Sequence, residues 1–271
     1  MSLKMRYLMK KESIFYLQRE AWDDIKEYED NFKQVIRQRE KNRIPFFHQS
    51  PQFNFRGYLV EYIKRICIEK RLTHCCLHLA VYLLDVFMDS HSIVPERVFV
   101  VANVCLLLAA KFEENTTNIP KIIELNSAIN NKYTAQDYKE LEIIILKFFH
   151  WYIMFPTAAH YVHYYIQGII SSDDLKSNTS LRSLFYDLHD NITTYLDYVV
   201  DNIHYMQCYT PSKLAAAIIC ASRLEVGLNG WTNQLKNLTD YTPDDFQDPL
   251  ITLMTKKNSM TCLKCTTISN I

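Results

Sequence analysis

The chain is 271 residues long, 48% hydrophobic and 13% aromatic, with 4 glycines, 8 prolines and 8 cysteines. That length allows one large domain or two of ordinary size with real cores, and so few glycines disfavour hairpin-rich β structure and glycine-loop nucleotide folds. Lys plus Arg and Asp plus Glu number 30 each, so the net charge is zero and leaves no electrostatic footprint for nucleic acid or a membrane surface.

The opening, MSLKMRYLMKKES, is charged and lacks the apolar stretch of a signal peptide. No apolar run reaches the roughly 18 residues that span a bilayer. Most cysteines lie inside apolar helical patterns, where a free thiol acts as a small hydrophobe. A reduced, intracellular, soluble protein is expected.

Residues 1–15 read as a basic lead. From Ile14 to Arg39, Trp22, Ile25, Tyr28, Phe32, Val35 and Ile36 recur at helical spacing opposite a charged face, predicting an amphipathic helix outside the main body. Its partner is either the chain's own domain or another protein. Lys41 to Phe53 holds Pro45 and Pro51 and reads as an extended linker. Asn54 is the expected cap of the next helix, with Phe55, Tyr58, Leu59, Tyr62, Ile63 and Ile66 as its stripe. Thr73 caps a second helix, and Pro95 sits in the first turn of a third.

That third helix organises the chain. From Val98 to Ala110 nearly every residue is apolar or small, which places it in the centre of a domain with neighbours on all sides. It then surfaces in Lys111, Phe112, Glu113 and Glu114. Periodicity alone reads this as a core helix with a solvated end. Asn118 and Pro120 are expected to open a short fourth helix, and Thr134 with Asp137 a fifth through a capping box with Asp in place of Glu.

The pattern then restarts. Pro156 opens a helix rich in tyrosine, and Ser171 to Ser180 is a polar loop. A long helix runs from Leu184 to Ile203, and Thr210-Pro211 opens a small-residue helix that Gly227 can close. Trp231, Leu235 and Leu238 make a short helix, and Thr242-Pro243, followed by Asp244 and Asp245, opens the last. Ala109-Ala110-Lys111-Phe112-Glu113 lines up with Ala221-Ser222-Arg223-Leu224-Glu225. The repeat predicts an all-α protein of two similar five-helix bundles, each around a central small-residue helix. The divisions are 1–44 for the lead and N-terminal helix, 45–154 and 155–257 for the bundles, and 258–271 for a polar, disordered tail.

Two such bundles with LLAAKFEE ending the first central helix resemble the cyclins. FRGYLVEY from Phe55 is similar to the opening of the cyclin box, and Leu77-His78-Leu79-Ala80-Val81 with Asp85 and Phe87 to its second helix. Tyr209-Thr210-Pro211-Ser212 resembles the start of the second fold's central helix. Within the family the chain most resembles the J-type cyclins. The resemblance implies two tandem cyclin folds and a regulatory subunit, not an enzyme, that binds and activates a cyclin-dependent kinase and controls cell-cycle progression. The implied partner is a kinase of the cell-cycle type, cyclin-dependent kinase 1 or 2, in the nucleus and also the cytoplasm, with no cofactor. The alternative is a cyclin-fold scaffold that binds transcription or other regulatory proteins without a kinase; zero net charge argues against the basic faces of such proteins.

By the same resemblance, Lys111 and Glu142 match the pair that grips the kinase backbone, a task suited to a group with three donors and a group with only acceptors. Read without it, they are an internal salt bridge between helices three and five. Phe112, Leu146, Trp151 and Ile153 match apolar positions against the kinase helix, and Ile25 and Tyr28 match N-terminal positions in the same interface. For these apolar positions the alternative is core packing. Arg56 and Asp85 match a structural pair. Phe55, Tyr58, Leu59 and Tyr62 stand where cell-cycle cyclins dock Arg-x-Leu substrates or inhibitors, but with aromatic residues in place of an aliphatic residue and a Trp. His160 and His163 are spaced like ligands on one helix face, yet no nearby acid or Cys is visible in the sequence to complete a site, and Cys262-x-x-Cys265 is a lone pair; no metal is expected.

Overall fold

The computed structural model describes residues 29–47, 50–171, 173–174 and 181–255. The chain divides into two compact units, 1–42 and 43–271. In the first, the described residues form α1, Glu29–Lys41, with Arg39 and Lys41 in the last turn, where the helix dipole favours cations. The expected start of this helix at Ile14 lies outside the described residues.

The second unit begins with a 3-10 turn over Pro51–Phe55 that runs directly into α2, Arg56–Lys70. Its cap is Ser50, whose Oγ accepts the Gln52 amide at 3.2 Å, so the expected cap at Asn54 is displaced by four residues. Pro51 explains the shift, since its fixed φ and missing donor suit a first helical position. Thr73 caps α3, His74–Ser90, by accepting the Cys76 amide at 3.2 Å. A 3-10 turn at Pro95–Arg97 leads into α4, Val98–Glu113. The short α5, Ile122–Ser127, starts after Lys121 rather than at Asn118, with the Lys121 amide held by Glu124 at 2.9 Å. The Thr134–Asp137 box opens α6, Ala135–Phe148, with reciprocal bonds of 3.2 and 2.7 Å.

The second half repeats the plan with α7, Ala158–Tyr165, α8, Leu181–Asp201, α10, Pro211–Glu225, α11, Asn233–Thr239, and α12 over 247–255. The expected long helix to Ile203 breaks at Asn202. Its side chain accepts the His204 amide at 3.1 Å and starts a separate short helix, α9, Ile203–Cys208. Gly227 closes α10 at φ +75°, the left-handed position that glycine takes without strain. Among the described residues there is no strand. The architecture is all-α, two tandem five-helix folds after an N-terminal amphipathic helix.

Each half is built around its apolar helix. In α4 every residue from Val100 to Ala110 is buried, against α2, α3 and α6. In α10, Ala215, Ala216, Ala217 and Ala221 have no exposed surface, and their small side chains let α7 approach with Tyr161, Tyr164 and Tyr165 buried. The polar Asn103 sits inside the first core with no exposed surface. Asn103 accepts the Tyr62 hydroxyl at 2.7 Å and donates to the Leu125 carbonyl at 3.0 Å and the Tyr138 oxygen at 2.9 Å, joining α2, α5 and α6 to α4. A buried amide this fully bonded rigidifies its core instead of weakening it. The start of the segment expected as an extended linker packs on the body: the Ile44 amide meets the Tyr82 hydroxyl at 2.8 Å and Arg43 donates to the Pro156 carbonyl at 2.7 Å.

Candidate functional site

The end of α4 carries the first candidate residues because the helix runs out of core there. Lys111 Nζ lies 2.5 Å from Glu142 Oε1 on α6. The lysine side chain is 46% exposed and the glutamate 16%. The internal salt bridge expected from the residues alone is thus closed in the free chain, at a surface where both groups remain within reach of a partner. Phe112 beside it is 44% exposed. Glu142 and Leu146 are four residues apart and share one face of α6, with Leu146 half-buried and Ile153 likewise.

Trp151 is 63% exposed. It follows a helix end in which His150 and Trp151 both take positive φ, 51° and 62°, with the Trp151 amide bonded to the Leu146 carbonyl at 2.7 Å. Two consecutive non-glycine residues in the left-handed region cost on the order of 1–2 kcal/mol each. The chain bears that strain to turn sharply and leave an indole in solvent. Ile143 and Ile144 on α6 are also exposed, which the sequence reading did not single out. Ile25 and Tyr28 lie outside the described residues.

Arg56 and Asp85 form a buried bidentate pair, with Nε to Oδ1 at 2.9 Å and Nη2 to Oδ2 at 3.0 Å. The arginine also reaches the carbonyls of Val200 and Asp201 at 2.9 Å, which the sequence did not reveal. These are among the last carbonyls of α8, groups that no helical amide can satisfy. Arg223, aligned by the internal repeat with Lys111, behaves differently. It is fully buried and forked onto Asp174 at 2.9 and 3.1 Å, with the Ile169 and Asn229 carbonyls as further acceptors. At the aligned position the second fold therefore presents no cation at its surface.

The four docking residues separate. Leu59 is fully buried, and Tyr62 is buried with its hydroxyl donating to Asn103. Burial pushes the Tyr62 hydroxyl up from its ordinary value, with the Asn103 bond and Arg65 opposing. Phe55 and Tyr58 are exposed, Tyr58 at 74%. One expectation is overturned outright: His160 does have an acid and a Cys beside it. Its Nε2 is 2.9 Å from Glu113, and Cys75 completes a group whose ligating atoms lie within 4.8 Å of one another.

Comparison with known proteins adds the family. The model of the cyclin N-terminal domain matches residues 28–154, and that of the cyclin C-terminal domain matches 156–263. Cyclin-J of Xenopus laevis is 34% identical over 220 residues, covering 78% of this chain and 57% of that protein. Human Cyclin-J is 33% identical over 223 residues, covering 78% and 56%. The chain spans little more than half the length of these relatives. Among solved structures, a viral cyclin from Herpesvirus saimiri aligns with a TM-score of 0.62 at 16% identity, covering 82% of this chain and 94% of that one. A chain of the yeast RNA Pol II CTD kinase CTDK-1 complex aligns at 0.55 and 14% identity, covering 82% and 70%. No helix among the described residues is long and apolar enough to cross a membrane.

Proposed function

The chain belongs to the cyclin family, and from that membership we propose that it binds and activates a cyclin-dependent serine/threonine kinase and so controls cell-cycle progression. The observation that carries the reading is the Lys111–Glu142 pair at the surfacing end of a wholly buried helix, flanked by exposed Phe112 and Trp151. Such a surface can grip backbone carbonyls and amides of a partner helix while the aromatic groups bury its apolar side. A kinase of this class holds its mobile helix and activation loop misplaced when free. A rigid surface that binds only the active arrangement shifts the population toward it. The chemistry belongs to the kinase, and this chain is its regulatory subunit. The partner is a nuclear cell-cycle kinase, cyclin-dependent kinase 1 or 2, and the two folds divide at 154/155.

The test separates binding from folding. An exposed ion pair contributes only about 0–1 kcal/mol to stability, whereas removing a charge that a partner desolvates costs roughly 2–5 kcal/mol of affinity. Lys111→Ala and Glu142→Ala should each weaken kinase binding at least tenfold, or about 1.4 kcal/mol, with an unchanged helical circular dichroism signal. A well-folded double variant that still binds and activates at full strength would remove the assignment.

The same reading gives a result for substrate docking. Burying a Leu side chain contributes about 1.5–3 kcal/mol, and with Leu59 and Tyr62 inside the core only Phe55 and Tyr58 line the docking position. An Arg-x-Leu peptide should bind roughly 4- to 13-fold more weakly than to an A-type cyclin, since losing half of that term costs about 0.75–1.5 kcal/mol. Fluorescence anisotropy with one labelled peptide decides it; equal affinities would show that the two exposed aromatics dock substrates after all.

A further inference from the structure

Three helices deliver unlike ligands to one point. Cys75 lies in the first turn of α3, Glu113 ends α4, and His160 is the third residue of α7. The first two belong to the first fold and the third to the second, so the point lies where the folds meet. All three side chains are half-buried, and their ligating atoms lie within 4.8 Å of one another. We propose that Cys75, Glu113 and His160 bind a zinc ion that fastens the second fold to the first.

The donor set selects the metal. A thiolate, an imidazole and a carboxylate form a borderline set that suits Zn²⁺ and satisfies neither the all-oxygen shell of Mg²⁺ or Ca²⁺ nor the soft shell of Cu⁺. Three protein ligands leave the fourth tetrahedral position to water. Bond lengths near 2.0 Å for N and O and 2.3 Å for S put tetrahedral donors roughly 3.3–3.6 Å apart. The His160–Glu113 separation of 2.9 Å opens slightly to admit the ion, and Cys75 closes on it. The local charge asks for a cation. Glu113 is one of the three ligands and Glu114 follows it in the chain, so carboxylates gather at this point; zinc binds the thiolate form of Cys75, and its proton leaves as the metal enters. With thiolate, carboxylate and neutral imidazole the centre has no net charge.

The histidine is already oriented. In the free chain the Thr157 amide donates to its Nδ1 at 3.1 Å, and its Nε2–H points to Glu113. With zinc at Nε2 the neutral ring carries its proton on Nδ1, which then donates to Thr157 Oγ1, 2.7 Å away, and no longer accepts the Thr157 amide. Metal-bound histidines hold their second nitrogen by an outer hydrogen bond of this kind. Thr157 is the residue before α7, so the ring is fixed at a helix start rather than on a loop. His163, one turn further on, is not in the cluster.

The test uses the full chain, reduced and stripped with chelator, and titrated with Co²⁺ and then Zn²⁺. One equivalent of Co²⁺ should give a thiolate-to-cobalt charge-transfer band that Zn²⁺ abolishes. Cys75→Ser should lose the band, and Glu113→Gln and His160→Ala should weaken binding at least tenfold. The double variant Cys262→Ser/Cys265→Ser should keep both band and affinity, which separates this centre from the tail cysteines. Zinc should raise the melting temperature of the parent and the tail variant, and not that of Cys75→Ser. A missing band, a band that survives in Cys75→Ser, or one that vanishes with the tail cysteines overturns the proposal. If Cys75→Ser does not fold, Glu113→Gln with parental helicity and undiminished affinity does so as well.

Discussion

Replacing Arg56 by Ala should lower the unfolding free energy by on the order of 3–5 kcal/mol. The reason is what remains behind. Asp85 has no exposed surface, and without Arg56 it is a buried carboxylate with its bidentate partner gone. The carbonyls of Val200 and Asp201 lose the donors that close the end of α8. The cation also sits where that helix's dipole is negative, which adds to the loss. For a unit of this size 1 kcal/mol moves the melting temperature by about 2–4 °C, so a fall of roughly 10 °C is expected in calorimetry. Arg56→Lys should fall between, since an ammonium keeps the charge but cannot fork onto Asp85 and two carbonyls together. A melting temperature within 2 °C of the parent for Arg56→Ala would show that water or a neighbour takes over all four bonds.

The second large effect is acid sensitivity set by a histidine. His78 is buried in α3, with Nε2 3.1 Å from the Leu196 carbonyl of α8. That geometry requires Nε2–H. Burial first, and then the positive influence of His74 and His160, push its pKa from 6.5 down to about 3, with Arg43 adding to the same direction and the Leu196 bond opposing. Burial lowers His163 as well, aided by His160 and opposed by Glu113. The folded state therefore refuses a proton that the unfolded chain accepts. Above pH 6.5 neither state binds it and stability is at its full value. As pH falls from 6.5 towards 3, the unfolded state binds one more proton, and stability drops by about 1.4 kcal/mol per pH unit for this one group. By pH 4.5 His78 alone removes on the order of 3 kcal/mol. Burial raises the Asp174 carboxyl, but Arg223 and Ser171 outweigh it and hold it low; its loss comes below its unfolded value of 3.8, outside this window. Melting the parent and His78→Gln from pH 7.5 to 4.5 tests the claim, because Gln keeps an N–H for Leu196 and cannot ionise there. Parallel pH profiles would place the acid sensitivity elsewhere.

Much of the fold is legible because its signals are local. The apolar run from Val98 to Ala110, the alanines of α10, and the caps at Thr73 and Thr134 each show themselves within a few residues. The misplaced boundaries have local causes that compete. Ser50 wins over Asn54 because Pro51 starts the turn, and Asn202 breaks a helix whose apolar pattern continues to Ile203. What stays hidden depends on distant partners. Arg223 aligns with Lys111, yet it is buried because Asp174, 49 residues earlier, comes to meet it. Asn103 looks like a filler in an apolar run and is the polar hub of the first core. His160 has no ligand neighbours in sequence, since Glu113 is 47 residues away. The Lys111 and Glu142 surface came from family resemblance, not from periodicity, which reads the same residues as a solvated helix end.

The reach of Arg56 also has a meaning during synthesis. Its acceptor at Asp201 lies 145 residues further along the chain. At about 5–20 residues per second, the ribosome delivers α8 roughly ten seconds or more after α2. Through that interval the first fold can assemble around Asp85, but two of the guanidinium's acceptors do not yet exist. Until α8 emerges, the first half lacks two acceptors for that cation, and the seam between the halves can close only after residue 201 has been made.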